Sequence, residues 1–143
     1  MQSTQAAMGQ RATAEAASDR PVRILYLDDD DVDRQLMRYY LCANPDFESV
    51  LTAVATISDA RTILLEGDTD VFVVDNRLPG VESFRETLEV LGDAVARTKI
   101  VVVSSETASR TFRDLDALPR TPHAIVDKGE IMAAVDRGIF NRL

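Results

Sequence analysis

The sequence predicts an α/β fold, a (βα)5 three-layer sandwich with a central five-stranded parallel sheet. Short apolar runs alternate with helical patterns, which is the order typical of a parallel sheet. The runs are rich in Val and Ile and lack strict polar alternation, as in strands that helices cover on both faces. The length of 143 residues fits one domain.

The five predicted strands are short and well separated. A helical pattern lies between each pair, so one helix crossover can join each strand to the next in parallel. In chain order the predicted strands are 22–27 (VRILYL), 49–55 (SVLTAVA), 71–74 (VFVV), 99–103 (KIVVV) and 123–126 (HAIV).

The helices are predicted from apolar residues that recur three or four positions apart. Ser58 with Asp59 is the expected N-cap of the second helix, Pro119 is expected to close the fourth, and Gly138 interrupts the fifth. The apolar positions are Val32, Leu36 and Tyr40; Ile63 and Leu64; Phe84, Leu88 and Leu91; Phe112, Leu115 and Leu118; and Ile131, Val135 and Ile139. We expect one domain over residues 21–143, a disordered leader over residues 1–20 and no output domain.

Composition narrows the classes of function. Lys and Arg number 16 against 24 Asp and Glu, and the net charge of −8 has the wrong sign for binding nucleic acid or anionic lipid. One cysteine, Cys42, excludes a disulfide framework and is expected to pack a helix; one histidine, His123, excludes a Cys/His zinc site and is expected to be structural or exposed. Any metal should therefore be a hard cation bound by oxygen.

No apolar run reaches the roughly 18 residues of a membrane span, and the cytoplasm is the expected compartment.

Polar side chains stand where four of the predicted strands end. Asp28 and Asp29 follow the first strand, Asp75 the third and Ser104 the fourth, and Lys128 comes shortly after the fifth. In an open parallel sheet, ligands bind beyond the carboxyl ends of the strands. We therefore expect these five side chains to face one crevice.

These side-chain types suit the transfer of a phosphoryl group to a carboxylate. Asp75 would attack phosphorus, and it needs no general base because a carboxylate is ionised at neutral pH. Asp28 and Asp29 would hold Mg²⁺, which prefers oxygen ligands and would neutralise the oxygens of the phosphoryl group. Lys128 and Ser104 would contact the same oxygens.

From Val22 onward the chain resembles the receiver domain of bacterial two-component response regulators. The resemblance is carried by the two aspartates after ILYL, Asp75 within VVDNRLPG, Ser104 after IVVV and Lys128 after AIVD. All five positions occur in order, and the intervals between them leave room for the expected helices and strands. The resemblance implies a flavodoxin-like fold.

The resemblance also implies a function. Asp75 would be the phosphoacceptor for a phosphohistidine on a sensor histidine kinase or a histidine phosphotransfer protein, with Ser104 as the switch hydroxyl and Lys128 as the phosphate-contacting lysine. The implied ligands of Mg²⁺, for which Mn²⁺ can substitute, are Asp28, Asp29, Asp75 and the backbone carbonyl of Arg77. The chain would be a stand-alone response regulator and not an enzyme, acting as a phosphoryl shuttle, a sink or an effector that binds a protein target. Neither nucleic acid nor membrane is an expected partner.

Three positions depart from the family pattern. Ile125 stands where the fifth strand usually carries an aromatic switch residue, Gly129 stands where proline usually follows the lysine, and Ser104 replaces threonine. We expect Gly129 to leave its loop more permissive than proline would. Arg77 and Glu106 are expected to pair across the mouth of the pocket and to lengthen the lifetime of the phosphoryl group.

Two alternatives stay open on sequence alone. In a haloacid-dehalogenase-like phosphatase, Asp28 would be the nucleophile, and Asp30 and Val32 would complete its motif. In a pseudo-receiver, the same fold would bind partners without being phosphorylated. Asp30, Asp31 and Asp33 are otherwise expected only to favour the positive end of the first helix.

Overall fold

The computed structural model describes residues 20–106 and 121–142. Five parallel strands form one sheet in the order β2-β1-β3-β4-β5, so the predicted fold class is confirmed. The strands are β1 (Val22–Leu27), β2 (Ser49–Val54), β3 (Val71–Asp75), β4 (Lys99–Ser104) and β5 (Ala124–Asp127). Their ends lie within one residue of the predicted ends.

Four α-helices flank the sheet in the described residues. They are α1 (Asp31–Cys42), α2 (Ile57–Leu65), α3 (Phe84–Leu91) and α4 (Ile131–Asp136). Short 3-10 turns follow α3, at Gly92–Val95, and precede α4, at Lys128–Glu130. Outside the described residues lie residues 1–19 of the predicted leader and the predicted helix around Phe112, Leu115, Leu118 and Pro119. None of the helices in the described ranges is long and apolar enough to cross a membrane.

One predicted helix end is wrong, and the expected interruption of the last helix at Gly138 is confirmed. The cap of α2 is Thr56, and not Ser58, because the Thr56 side chain accepts a hydrogen bond from the backbone N–H of Asp59. α4 ends at Asp136, since Gly138 has a φ of 83°, a left-handed conformation that commonly terminates helices.

Side chains of the central strands alternate between two apolar cores. One core contains Ile24 and Tyr26 of β1 and lies beneath α1 and α4. The other contains Leu25 and Leu27 and lies beneath α2 and α3. This period of two follows from the pleat of a strand, and it explains why the apolar runs show no polar alternation. The predicted three-layer arrangement is confirmed.

The single histidine and the single cysteine differ in their surroundings. His123 is exposed, and its Nδ1 accepts a hydrogen bond of 3.1 Å from the backbone N–H of Ile100, so its structural role is confirmed. Cys42 is a free thiol exposed at the end of α1. The expectation that Cys42 packs inside the protein is therefore wrong.

An ion cluster joins the two ends of the described chain. The carboxylate of Asp70, just before β3, lies 3.6 Å from Arg20 and 3.3 Å from Arg142. It also accepts a hydrogen bond of 2.9 Å from the backbone N–H of Arg23. Arg142 in addition donates to the backbone carbonyls of Arg20 and Pro21. The cluster lies at the amino end of the parallel strands.

Candidate functional site

The ends of the strands place the predicted site residues at the carboxyl edge of the sheet. Asp28 directly follows β1 and is fully buried. Asp75 ends β3 and Ser104 ends β4, and both are buried. Lys128 follows β5 with a side chain that is 20% exposed, and Asp29 is exposed.

The aspartates form a compact set of oxygen ligands. One carboxylate oxygen from each of Asp28, Asp29 and Asp75 lies within 4.8 Å of the other two. Mg²⁺ binds oxygen and keeps several of its waters, so it can be held by such a set directly or through water. The donors present therefore fit the ion that the sequence predicts.

Lys128 supplies positive charge to this pocket. Its Nζ lies 2.7 Å from Asp33, 3.1 Å from Asp28 and 3.3 Å from Asp75. Burial lowers the pKa of Lys128, but hydrogen bonds and attraction to these carboxylates outweigh burial and raise the pKa above its usual value. Lys128 is therefore a fixed cation in the pocket.

Asp33 is a residue of the pocket that sequence reasoning missed. The expectation for the acidic start of α1 is confirmed at Asp30, whose side chain accepts hydrogen bonds from the backbone N–H groups of Val32 and Asp33. The side chain of Asp33 instead faces Lys128. Little in the sequence indicates this, because Asp33 shares the acidic start of α1 with Asp30 and Asp31, which favour the positive end of the helix.

Tyr26 was missed as well. Its hydroxyl donates a hydrogen bond of 2.5 Å to Oδ2 of Asp28 from inside the core, and the backbone N–H of Asp30 donates to Oδ1 at 2.9 Å. Burial and the hydrogen bond to Asp28 raise the pKa of Tyr26, so the phenol stays protonated and remains a donor. The signal was the spacing of two along a strand, which puts Tyr26 and Asp28 on one face.

The ionisation of Asp75 is shifted by its surroundings. The pKa of Asp75 is raised from 3.8 to about 6, mainly by burial and further by repulsion from Asp28. Lys128 and the backbone N–H of Arg77 act in the opposite direction. At neutral pH the Asp75 carboxyl is thus mostly ionised.

The mouth of the pocket carries an exposed ion pair. Nη2 of Arg77 lies 3.1 Å from Oε2 of Glu106, which is the pairing expected from the sequence. The backbone N–H of Glu106 donates a hydrogen bond of 3.0 Å to Oγ of Ser104. Glu106 therefore connects Arg77 to the buried hydroxyl, and its effect on lifetime stays a prediction.

A side-chain cap fixes the turn that carries Lys128. Oδ1 of Asp127 accepts a hydrogen bond of 2.7 Å from the backbone N–H of Gly129, at the start of the 3-10 turn. A proline at position 129 has no N–H to donate. The expectation that Gly129 leaves this loop more permissive than proline would stays a prediction. Ile125, on β5, is half-buried and packs against the core beneath α2 and α3.

Known proteins resemble this chain in sequence and in fold. A protein-glutamate methylesterase/protein-glutamine glutaminase of Anaeromyxobacter dehalogenans is 29% identical over 121 residues, which are 80% of this chain and 34% of that protein. The response regulator domain of Thermotoga maritima CheB matches with a TM-score of 0.65 and 21% identity, over 84% of this chain and 94% of that domain. This chain has the receiver-domain fold of response regulators. It spans about a third of the length of the methylesterase.

A second receiver domain matches to a similar degree. It is that of Saccharomyces cerevisiae Ssk1, solved together with the histidine phosphotransfer protein Ypd1, with a TM-score of 0.64 and 17% identity over 83% of this chain and 86% of that one. No protein-family model matches the chain.

In this receiver fold, Asn76 connects the pocket to α3. It directly follows Asp75 and is buried, and its Oδ1 accepts a hydrogen bond of 3.1 Å from the backbone N–H of Phe84. The bond satisfies an N–H group at the start of the helix, which has no partner inside the helix. Asn76 therefore holds the loop after Asp75 in a fixed position.

Proposed function

We propose that this receiver domain accepts a phosphoryl group on Asp75 from a phosphohistidine of a histidine kinase or a histidine phosphotransfer protein. The supporting observation is that a buried carboxylate, further oxygen ligands and an ammonium group share one pocket. Nζ of Lys128 is 3.3 Å from Asp75, and oxygens of Asp28 and Asp29 lie within 4.8 Å of it. The yeast receiver of similar fold was solved with a histidine phosphotransfer protein, which supports this class of donor.

In the proposed reaction, a carboxylate oxygen of Asp75 gives an electron pair to phosphorus. The O–P bond forms while the P–N bond to histidine breaks, and the electrons of that bond stay on the imidazole nitrogen. Lys128 stabilises charge on the phosphoryl oxygens, and the hydroxyl of Ser104 is a further donor to them. No base is needed, because Asp75 is mostly ionised at neutral pH.

We propose that the reaction depends on Mg²⁺, or on Mn²⁺ as its substitute. The ligands would be Asp28, Asp29, Asp75 and the backbone carbonyl of Arg77. When bound, the ion would offset the repulsion between these carboxylates and the incoming phosphoryl group. Lys128 carries one positive charge against several carboxylates, so it cannot offset this repulsion alone.

The proposed role is signalling through protein partners. The phosphorylated domain would bind a protein target, or pass the phosphoryl group on as a shuttle or sink. The net charge of −8 supports proteins as partners over nucleic acids. The match to the methylesterase covers 34% of that protein.

Asp75 is a better nucleophile than Asp28, the candidate in a phosphatase. Asp28 is fully buried, and its two oxygens accept hydrogen bonds from Tyr26, Lys128 and the backbone of Asp30. The side chain of Asp75 keeps 8% of its surface exposed. The pocket therefore favours attack by Asp75.

The test is incorporation of phosphate from radiolabelled acetyl phosphate and from phosphorylated histidine kinases of the host. The wild type with Mg²⁺ should gain a label that hydroxylamine removes, and Asp75→Asn or a chelator should abolish it. Asp68→Asn is a matched control, because Asp68 is exposed near the opposite edge of the sheet, and it should behave as wild type.

Two results would contradict the proposal. If the folded wild type gained no label from any donor, a binding module that works without phosphorylation would be favoured. If Asp28 carried the label, a phosphatase mechanism would be favoured.

A further inference from the structure

The ammonium group of Lys128 has an additional partner on α1. Asp33 is the closest of its three carboxylate contacts, at 2.7 Å compared with 3.1 Å for Asp28 and 3.3 Å for Asp75. Asp33 lies in the first turn of α1, and its side chain is 26% exposed. It is therefore the most accessible partner of this lysine.

The contacts of Lys128 match its capacity for hydrogen bonds. An ammonium group has three N–H donors, and three carboxylates surround it. To donate to a phosphoryl oxygen on Asp75, Lys128 has to weaken one of these contacts. Asp28 is held in place by Tyr26 and by the backbone of Asp30, whereas Asp33 lies at the rim. Of the contacts with Asp28 and Asp33, the one with Asp33 is thus more easily released.

The negative charge of Asp33 also disfavours a phosphoryl group on Asp75. A phosphoryl group on Asp75 adds negative charge to the pocket, and the carboxylate of Asp33 repels negative charge. Asp33 therefore disfavours phosphorylation in two ways, by attracting Lys128 and by repelling the group that Lys128 would contact.

A role in starting α1 does not explain the placement of Asp33. Asp30 already caps the helix with its side chain, and Asp31 supplies another charge in the first turn, where it pairs with Arg34. The carboxylate of Asp33 instead lies within hydrogen-bond distance of Lys128, 95 positions further along the chain.

We propose that Asp33 is a positioning residue that holds Lys128 in the unphosphorylated protein and thereby lowers the occupancy of the phosphoryl group on Asp75. This inference rests on the proposed function. Asp33 acts through Lys128 and takes no part in the bond changes at phosphorus. Its removal should free the ammonium group for the phosphoryl oxygens.

The first test compares Asp33→Asn with Asp31→Asn at saturating Mg²⁺. Both variants remove one negative charge from the first turn of α1, but the side chain of Asp31 is 74% exposed and pairs with Arg34. Asp33→Asn should bind beryllofluoride roughly fivefold more tightly and should reach a higher phosphorylated fraction with acetyl phosphate, an effect typical of a partly exposed ion pair. Asp31→Asn should stay close to wild type.

The second test observes Lys128 without metal or phosphoryl donor. The nitrogen-15 shift of the Lys128 ammonium should change in Asp33→Asn and stay unchanged in Asp31→Asn. Asp33→Glu, which keeps the charge, should restore a wild-type affinity for beryllofluoride. If Asp33 only stabilised the fold, Asp33→Asn would leave the Lys128 signal unchanged, and Asp33→Glu would not restore the affinity for beryllofluoride.

The outcomes separate this inference from the proposed function. If the wild type gains phosphate on Asp75 but Asp33→Asn shows an equal or lower phosphorylated fraction, the role of Asp33 is overturned and phosphoryl acceptance stands. An unchanged Lys128 signal in Asp33→Asn would overturn it too. If the wild type gains no phosphate at all, both proposals are overturned.

Discussion

The hydroxyl of Tyr26 and the carboxylate of Asp28 are joined by a hydrogen bond of 2.5 Å at the end of β1. Tyr26 is 1% exposed and Asp28 is fully buried. A buried carboxylate is costly unless donors surround it, and Asp28 receives donors from Tyr26, Lys128 and the backbone of Asp30. An aromatic residue that fills the core therefore also fixes a carboxylate of the pocket.

Tyr26→Phe should lower the free energy of unfolding. The variant keeps the ring but leaves Asp28 with one donor fewer, which costs about 2 kcal/mol for a hydrogen bond to a charged group. Urea denaturation at neutral pH measures the change. Tyr39→Phe is the control, because Tyr39 is 63% exposed, and its effect should stay within about 0.5 kcal/mol. Equal effects of the two variants would show that the Tyr26 hydroxyl contributes little.

Asp75→Asn should stabilise the metal-free protein at neutral pH. The pKa of Asp75 is about 6 in the folded protein against 3.8 ordinarily, so the folded state binds the proton more tightly and ionisation of Asp75 destabilises it. The shift corresponds to at most roughly 3 kcal/mol. The advantage of the variant should be present above the folded-state pKa and should shrink as the pH falls from about 6 to about 4.

Urea denaturation across this pH range checks the prediction for Asp75. Asp68→Asn serves as the matched control, and its difference from wild type should not follow the same profile. A variant Asp75→Asn that is less stable than wild type at neutral pH without metal would contradict the assignment of burial as the main cause.

Lys128→Met should destabilise the protein and increase its response to Mg²⁺. Three carboxylates lose their shared cation, at a cost of about 3 kcal/mol in the free energy of unfolding. A divalent ion that binds the folded state should then raise the melting temperature more in the variant than in the wild type. Thermal unfolding with and without Mg²⁺ measures this difference.

Lys99→Met provides a control for Lys128→Met. Nζ of Lys99 donates to the backbone carbonyl of Asn141 at the amino edge of the sheet, away from the pocket. Its response to Mg²⁺ should equal that of the wild type. If Lys128→Met responds to Mg²⁺ no more than Lys99→Met does, the ammonium group and the ion do not share the pocket.

Glu106→Ala should shorten the lifetime of the phosphoryl group on Asp75. Arg77 and Glu106 pair at the mouth of the pocket, and we expect this pair to hinder the approach of water. Arg77→Ala should have a similar effect, and the double variant should add little, because each single change already breaks the pair. The measurement is the decay of label after the donor is removed. Glu89→Ala, an exposed change on α3, should leave the lifetime unchanged.

The lifetime prediction requires that stability stays nearly constant. Arg77 and Glu106 are 71% and 59% exposed, so breaking their pair should change the free energy of unfolding by less than about 1 kcal/mol. A normal lifetime in a folded Glu106→Ala variant would reject the proposed role of the pair.

The fold and most of the pocket could be predicted from the sequence because a parallel sheet gathers all strand ends at one edge. Once the apolar runs are read as strands, Asp28, Asp75 and Ser104 fall at their carboxyl ends. These residues can therefore lie close together in the fold although they are far apart in the sequence. The same reasoning brings Lys128 to the pocket, since it directly follows β5.

The residues that sequence reasoning missed depend on the direction of side chains. Tyr26 lies within an apolar run and is accounted for as core, although its hydroxyl reaches Asp28. Asp33 is accounted for by the helix start, although its carboxylate reaches Lys128. The cap at Thr56 was missed for another reason: Thr56, Ser58 and Asp59 are all candidate caps near the start of α2, and the backbone conformation decides which one caps it.

The cluster around Asp70 has a practical consequence for handling the protein. Arg20 and Arg142 meet at this carboxylate, and the length of β3 puts it roughly 15 Å from Asp75. A fluorescent label or a solid support attached beside either arginine would therefore lie at the amino edge of the sheet. It would leave the pocket at the carboxyl edge accessible to a bulky donor protein.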